Sequence, residues 1–471
     1  MAPERPTPFF ATDGQPPARG RLLLVSWHFP PAQSTGALRW QKLSRYGTER
    51  GWGLDVISLA PSDAGLVDEA SLSDLPAGTR VFGVSKATTW EQRVEHIVWR
   101  AYRRLRPRLP SGAASTSSQV SSEAEALPPG DIRWRLRPRD LFRAWTAYLE
   151  FRRDGAWAGR VVELAETLGQ TTEYAAVISC GPPHLAHTAA RRIAQSLGIP
   201  LILDFRDPFS FLRRFPAPIA SPLWFTLARR HERPAIAAAR LVIANTEALR
   251  RALAGHYPEA ASKLVTVMNG CDEEPIGPLD RDRFLVVYAG ALYLDRDPTT
   301  FLRAAATVVQ DLELRPDEFG IEFVGQTESY GGVRLESIAA GLGLQGYVRV
   351  TPRLPREEAL RHMARATTLL NLPQDSAFAI PSKIFEYMCF DAWLLVLAAA
   401  DTPTELLLRD SGAVVVAPQD ASGITAALRH QVEAFRRGER PTRLALDPRF
   451  TRRHQATLLF DALDRALGVR S

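Results

Sequence analysis

The chain has 471 residues, of which 45% are hydrophobic and 23% charged, an ordinary globular composition that predicts two or three domains. Its longest uninterrupted apolar run, Ala392–Ala400, is nine residues, under half of the roughly 20 that a membrane-spanning helix needs. Cys180, Cys271 and Cys389 are too few and too scattered for a disulfide framework or a zinc cluster, and Met1–Gly20 lacks the apolar core of a signal peptide. A soluble protein of a reducing, cytoplasmic compartment is expected.

After a proline-rich tail, 1–20, expected to be disordered, Leu22–Trp27 is an apolar run without alternation, as in a parallel strand covered on both faces. Leu54–Leu59, Ala176–Ser179, Leu201–Asp204, Leu241–Ala244 and Leu264–Val267 have the same character. Helical patterns such as Ala37–Arg50, Leu185–Leu197 and Glu247–Gly255 lie between them. Strands alternating with helices predict βαβ units and a doubly wound parallel sheet, an α/β fold.

The rhythm breaks at residues 111–130, a Ser/Ala-rich stretch without aromatics that reads as a disordered insertion. It is flanked by two arginine-rich segments, 91–108 with net charge +4 and 133–153 with +5. The whole chain carries only +6, so it is not basic; one patch of it is. That confinement, and the absence of the relevant motifs, argue against a nucleic-acid partner. Within 141–152, Leu141, Trp145, Tyr148 and Arg152 recur at helical spacing, a pattern suited to an anionic membrane surface. Two ordinary core-packing helices with solvated arginines are the alternative.

Near 273–283, a stretch with Pro275, Gly277 and Pro278, the α/β pattern restarts. Phe284–Ala289, Ile321–Val324, Tyr347–Val350, Thr368–Asn371, Trp393–Leu397 and Ala413–Val416 are the strands expected there, with a helix over Thr299–Leu312. The division expected is 21–275, 283–450 and a terminal segment, 451–471. Its helix, Arg452–Leu467, has an apolar stripe of Leu458, Leu459, Leu463 and Leu467 and no strand after it, so it must dock on something already built.

Open α/β sheets bind ligands at the carboxyl ends of strands, beside helix N-termini that attract anions. After the first strand, Ser34, Thr35 and Gly36 stand where a helix begins, and Gly36 would let a phosphate approach the backbone. Neither a dinucleotide fingerprint nor a P-loop is present. In S-C-G-P-P-H-L-A-H (Ser179–His187), a rigid turn delivers His184 to a sheet edge, with His187 one turn on. D-F-R-D-P-F (Asp204–Phe209) sets three charges beside an apolar strand, where they must pair or meet a ligand; Asp207 is the functional candidate and Asp204 the structural one. In the second half, Gly290 opens the backbone and Arg296 lies just before a helix. In I-P-S-K-I-F-E-Y-M (Ile380–Met388), Lys383 and Glu386 share a helix face, suited to a phosphate and a ribose diol or merely to a surface ion pair. Lys383 is one of only four lysines in this arginine-rich chain.

H-F-P-P near the start, C-G-P-P-H, D-F-R-D-P, N-G-C-D (Asn269–Asp272) and P-S-K-I-F-E-Y-M stand in the order found in family 4 of the glycosyltransferases, which the chain resembles over nearly its full length. The resemblance implies the GT-B fold: two Rossmann-like domains facing across a cleft, with the terminal helix crossing back onto the first. It also implies a UDP- or GDP-linked sugar donor held on the second domain and a saccharide or polyprenol-linked acceptor on the first. Transfer with retention, no metal and no further cofactor, in cell-surface polysaccharide synthesis at the inner face of the plasma membrane, is expected. Carried over by position, Arg296 and Lys383 would hold the diphosphate, Glu386 the ribose, with Gly36 and Gly290 giving the phosphates room. His184 and Asp207 would line the reacting centre. Phe378 stands where many members carry the first of two glutamates separated by seven residues, so that another residue substitutes, sugar recognition differs or activity is lost; an epimerase-type enzyme, which Phe378 does not favour, and a non-catalytic scaffold are the alternatives on the same fold.

Overall fold

The computed structural model describes residues 6–86, 137–211, 220–272, 281–293, 296–372, 377–444 and 447–469. The segments 91–108 and 111–130, and most of the stretch 273–283, lie outside them. The described residues form two compact units: residues up to Met268 together with Ala456 onward, and Asn269–Gln455.

The first unit is built on eight strands: β1 (Phe10–Ala11), β2 (Arg21–Ser26), β3 (Gly53–Leu59), β4 (Arg80–Val84), β5 (Tyr174–Gly181), β6 (Leu201–Phe205), β7 (Leu241–Ala244) and β8 (Leu264–Thr266). Their order is β1-β4-β3-β2-β5-β6-β7-β8, parallel throughout except for β1 on β4. Leu22–Val25 are at most 2% exposed, as an unalternating apolar strand buried on both faces requires. The sheet grows outward from β2 through β3 and β4, then restarts at β5 on the other side of β2. That reversal opens a crevice at the carboxyl ends of β2 and β5. Helices α1 (Thr35–Glu49), α2 (Pro138–Gly169), α3 (Leu185–Leu197), α4 (Pro222–Ala238) and α5 (Glu247–His256) make the connections.

Two buried aspartates tie this sheet together. Asp55 on β3 accepts from Arg21 (2.7 Å), Arg80 Nε (2.8 Å) and the Tyr174 hydroxyl (2.7 Å). Asp204 on β6 accepts from Arg39 through Nε (2.8 Å) and Nη2 (3.0 Å) and from the Trp40 indole (2.8 Å), which fastens α1 to the sheet. Burial alone would raise the Asp204 carboxyl, but Arg39 and Trp40 hold it below the usual carboxylate range.

The N-terminal segment corrects one expectation. Residues 6–20 are not a disordered tail: Phe10 and Ala11 pair with Val81 and Arg80, and Thr12 Oγ1 donates to Pro76 O (2.8 Å). The physical reason is β4, whose outer edge would otherwise expose unpaired amides.

The C-terminal helix, Arg452–Leu467, packs Ala456, Leu459, Phe460, Ala462 and Leu463 into the core of the first unit. Leu458, expected in that stripe, is 41% exposed, and Phe460 takes its place against Gly47. Asp464 accepts from Arg19 (2.7 Å) and the Trp52 indole (3.1 Å).

The second unit has β9 (Phe284–Ala291), β10 (Phe319–Gln326), a small hairpin of β11 (Ser329–Tyr330) and β12 (Val333–Arg334), β13 (Val348–Thr351), β14 (Thr368–Asn371), β15 (Trp393–Leu397) and β16 (Val414–Val416). The main sheet runs β13-β10-β9-β14-β15-β16, all parallel, and reverses between β9 and β14. Helix α6 (Thr299–Asp311) follows β9, and the short α7 (Ser382–Tyr387) lies between β14 and β15. The unit begins at Asn269, earlier than the stretch 273–283 where the sequence pattern restarts. Backbone bonds tie that turn to its far end: Cys271 N to Phe450 O (2.8 Å) and Arg452 N to Cys271 O (2.7 Å). Arg452 Nε also donates to Asp272 (2.8 Å).

Candidate active site

In the second unit the reversal point brings together residues far apart in sequence. β9 ends in Tyr288-Ala289-Gly290-Ala291, and Gly290 has φ 154°, a conformation that favours glycine. The Tyr387 hydroxyl accepts from Ala289 N (2.8 Å) and donates to Ala289 O (3.1 Å), which locks α7 against the end of β9. That lock places Lys383 Nζ 4.0 Å from the centre of the Tyr288 ring. A Cβ at position 290 would lie 2.5 Å from the ammonium, so any larger residue there would displace Lys383.

Lys383 Nζ is buried and has no hydrogen-bond partner among the described residues. Burial, then repulsion from Arg296, drives its pKa well below the ordinary lysine value, with Glu386 opposing. Arg296 donates to Ala291 O (3.2 Å) and lies 4.3 Å over the Tyr293 ring, so it borders the same strand end. Two cations thus converge on an opened backbone, an arrangement that costs stability unless an anion completes it. Glu386, matched to the ribose by resemblance, pairs with Arg356 Nη2 at 2.5 Å.

In the first unit, the carboxyl ends of β5 and β6 carry His184 and Asp207, which border one cavity of about 310 Å³. His184 is 9% exposed and stacks on Phe209 at 4.5 Å; its Nδ1 has no partner among the described residues. Burial, then His187 and Arg206, push its pKa well below the ordinary value, so the ring is neutral at pH 7. A neutral imidazole can hold a hydroxyl as donor or acceptor. Burial raises the Asp207 carboxyl, with Arg206 opposing. His187 is set back: its Nδ1 bonds Ser179 Oγ (2.7 Å), its ring lies 4.4 Å from Phe205, and burial takes it down to about 3.

Gly36 behaves differently from expectation. The Arg206 guanidinium already fills the space beside its Cα, held there by bonds to Gly181 O (2.9 Å) and Pro182 O (2.8 Å). An anion approaching Gly36 therefore meets Arg206. Sequence reasoning left open whether the charges of D-F-R-D pair or meet a ligand, and missed this placement of Arg206. It also missed Glu150 and Asp154, which border the same cavity from α2. Their signal was two acids at an i, i+4 spacing inside an arginine-rich helix.

Residues 121–275 match the family model described as Glycosyltransferase Family 4. D-inositol 3-phosphate glycosyltransferase of Thermobifida fusca is 32% identical over 165 residues, which cover 31% of this chain and 37% of that protein. A protein of the same name from Geodermatophilus obscurus is 25% identical over 213 residues, or 42% and 46% of the two chains. The chain thus spans less than half the length of these curated relatives. Among solved structures, sucrose-phosphate synthase from Thermosynechococcus elongatus superposes with TM-score 0.59 at 12% identity, covering 96% of this chain and 100% of that one. Anabaena HepE in complex with UDP and glucose gives 0.58 at 14%, covering 95% and 100%. The first unit thus carries the Glycosyltransferase Family 4 match over residues 121–275, and the two doubly wound units share the GT-B fold of their full-length structural neighbours.

Proposed function

We propose that the protein transfers a sugar from a nucleotide-sugar donor, UDP- or GDP-linked, to a saccharide or lipid-linked acceptor. The observation that carries this reading is the buried ammonium of Lys383, without a hydrogen-bond partner among the described residues, beside Gly290, with Arg296 at the same strand end. The HepE neighbours bind UDP and UDP-glucose, which supports a donor of this class.

Breaking the bond between sugar and diphosphate builds negative charge on the departing phosphates. Lys383 and Arg296 stabilise that charge from fixed positions, and such preorganised groups are each worth about 10²–10³ in rate. They supply the positive charge that a divalent ion supplies in other transferases, so the reaction proceeds without one. In this reading the configuration of the sugar is retained, and neutral His184 with Asp207 orients the acceptor hydroxyl. Calorimetric titration of the full chain with UDP and GDP tests it: one nucleotide should bind, and Lys383→Ala should weaken that binding roughly 10–100-fold. Absence of binding to either would refute it. A chain that binds nucleotide but neither transfers nor hydrolyses the sugar would be a scaffold, and deuterium exchange at the sugar C2 would mark an epimerase.

The site of action in this reading is the cytoplasmic leaflet, in cell-surface polysaccharide assembly. The first turns of α2 expose Leu141 (53%), Phe142 (53%) and Trp145 (43%) beside Arg137, Arg139 and Arg143, a surface that suits anionic lipid. No described helix is long and apolar enough to cross a membrane. Vesicle flotation should recover the protein with anionic lipid; equal recovery with neutral vesicles would rule out the electrostatic contact.

A further inference from the structure

The cavity on the first unit has a chemical character that the donor site does not share. Its volume, about 310 Å³, is that of a small-ligand site. Three carboxyl groups border it: Glu150 and Asp154 from α2, and Asp207 from the end of β6. Arg153, which also borders it, is committed to Asp154 through Nε at 3.0 Å. Arg206 bonds Gly181 O and Pro182 O, and Lys86, whose charge also acts on Asp154, bonds Asp63 O at 3.0 Å. Burial raises the carboxyls of Glu150, Asp154 and Asp207 above their ordinary range, Glu150 to about 7. Such poorly solvated groups gain most from a ligand that brings hydroxyl donors.

The other walls are aromatic. Phe151 lies 5.8 Å from Phe209 in a stacked arrangement and 5.0 Å from Trp224 edge-on. His184 stacks on Phe209 and brings its buried Nδ1, which has no partner among the described residues, to the same lining. An apolar ring face beside several carboxyl acceptors matches a pyranose, whose C–H faces are apolar and whose rim is hydroxylated. A phosphate group would instead add negative charge beside carboxyls that burial already leaves poorly solvated, which disfavours it.

We propose that this cavity receives the acceptor as an uncharged hexopyranoside, and that Glu150 and Asp154 are the residues that select it against phosphorylated sugars. The assignment rests on the glycosyltransferase reading above and names the acceptor class for it. The carboxyls of α2 grip hydroxyls on the ring's rim, and Phe209 and Phe151 support its apolar side. His184 and Asp207 are left to face the hydroxyl that accepts the sugar.

The test uses the full chain, first checked for a thermal shift with UDP. Saturation-transfer NMR is then run with the methyl glycosides of glucose, galactose, mannose and N-acetylglucosamine, each against its 6-phosphate. At least one neutral glycoside should bind, at least about tenfold tighter than its phosphate. Glu150→Ala should weaken it by about tenfold or more, as loss of a charged hydrogen bond does, and leave the UDP shift in place. A chain that shifts with UDP but binds the phosphates as well as the neutral sugars, or no neutral sugar, overturns the assignment. So does an unchanged affinity in Glu150→Ala. A chain that fails to shift with UDP strikes the glycosyltransferase reading itself, and the two failures are thereby told apart.

Discussion

Lys383 ties stability and binding together in opposite senses. Its ammonium is buried, has no described partner, and is repelled by Arg296. A lysine whose folded pKa lies below its unfolded value costs stability at every pH below that folded value, and the cost fades as pH rises towards the unfolded one. Lys383→Met keeps the length of the side chain and removes the charge. The residual desolvation penalty of a buried ion is several kcal/mol, while contact with the Tyr288 face returns about 2 kcal/mol. The ligand-free variant should therefore be more stable than the parent by about 1–3 kcal/mol at pH 6–7. Binding moves the other way. Losing one charged hydrogen bond, about 1.5–3 kcal/mol, lowers UDP affinity roughly 10–100-fold. A bound diphosphate raises the Lys383 pKa from its lowered value, so UDP binding in the parent should become coupled to proton uptake as pH rises towards the ordinary lysine value, and in the variant should not. Urea unfolding and calorimetry in buffers of different ionisation enthalpy measure both effects. A variant that is less stable and binds UDP as tightly as the parent would refute the placement of this cation in the site.

Other perturbations follow from the same coordinates. Because burial raises Glu150 to about 7 from an ordinary 4.5, its ionisation opposes folding increasingly from pH 4.5 to 7 and fully above that. Glu150→Gln should stabilise the chain by up to about 3 kcal/mol at pH 8 and not at all below pH 4; a gain that is equal at both would contradict this. Asp204→Ala removes the carboxylate that balances the Arg39 charge inside the first unit, leaving the Val267 and Met268 carbonyls, and should cost about 3–5 kcal/mol in urea unfolding. A loss under 1 kcal/mol would mean that Arg39 finds another partner. Gly290→Ala adds a Cβ against Lys383 and demands φ 154° of an alanine; UDP should no longer shift the melting temperature, and a retained shift would remove that strand end from the site.

The sheets were legible because parallel strands buried on both faces are written as unbroken apolar runs, as at Leu22–Val25 and Trp393–Leu397. The strand ends were legible too, since glycine and proline turns followed by histidine or charge have few other uses. Short elements were not: β1 has two residues and no pattern, and its ordering of the N-terminal segment depends on the free edge of β4. Asp55 looks like an interruption in an apolar strand, and only Arg21, Arg80 and Tyr174, distant in sequence, explain it. At Gly36 the sequence predicted open backbone but could not place the Arg206 side chain that covers it. Glu150 and Asp154 were hidden by their neighbours, because charge counted along an arginine-rich helix says nothing of which side chains turn inward.

The central claim is that a diphosphate completes the cation pair at the reversal point of the second sheet. Co-crystallisation with UDP-glucose tests it most directly. The account predicts phosphate oxygens about 3 Å from Lys383 Nζ and from the Arg296 guanidinium, beside Gly290. An ordered nucleotide whose phosphates touch neither residue would contradict it.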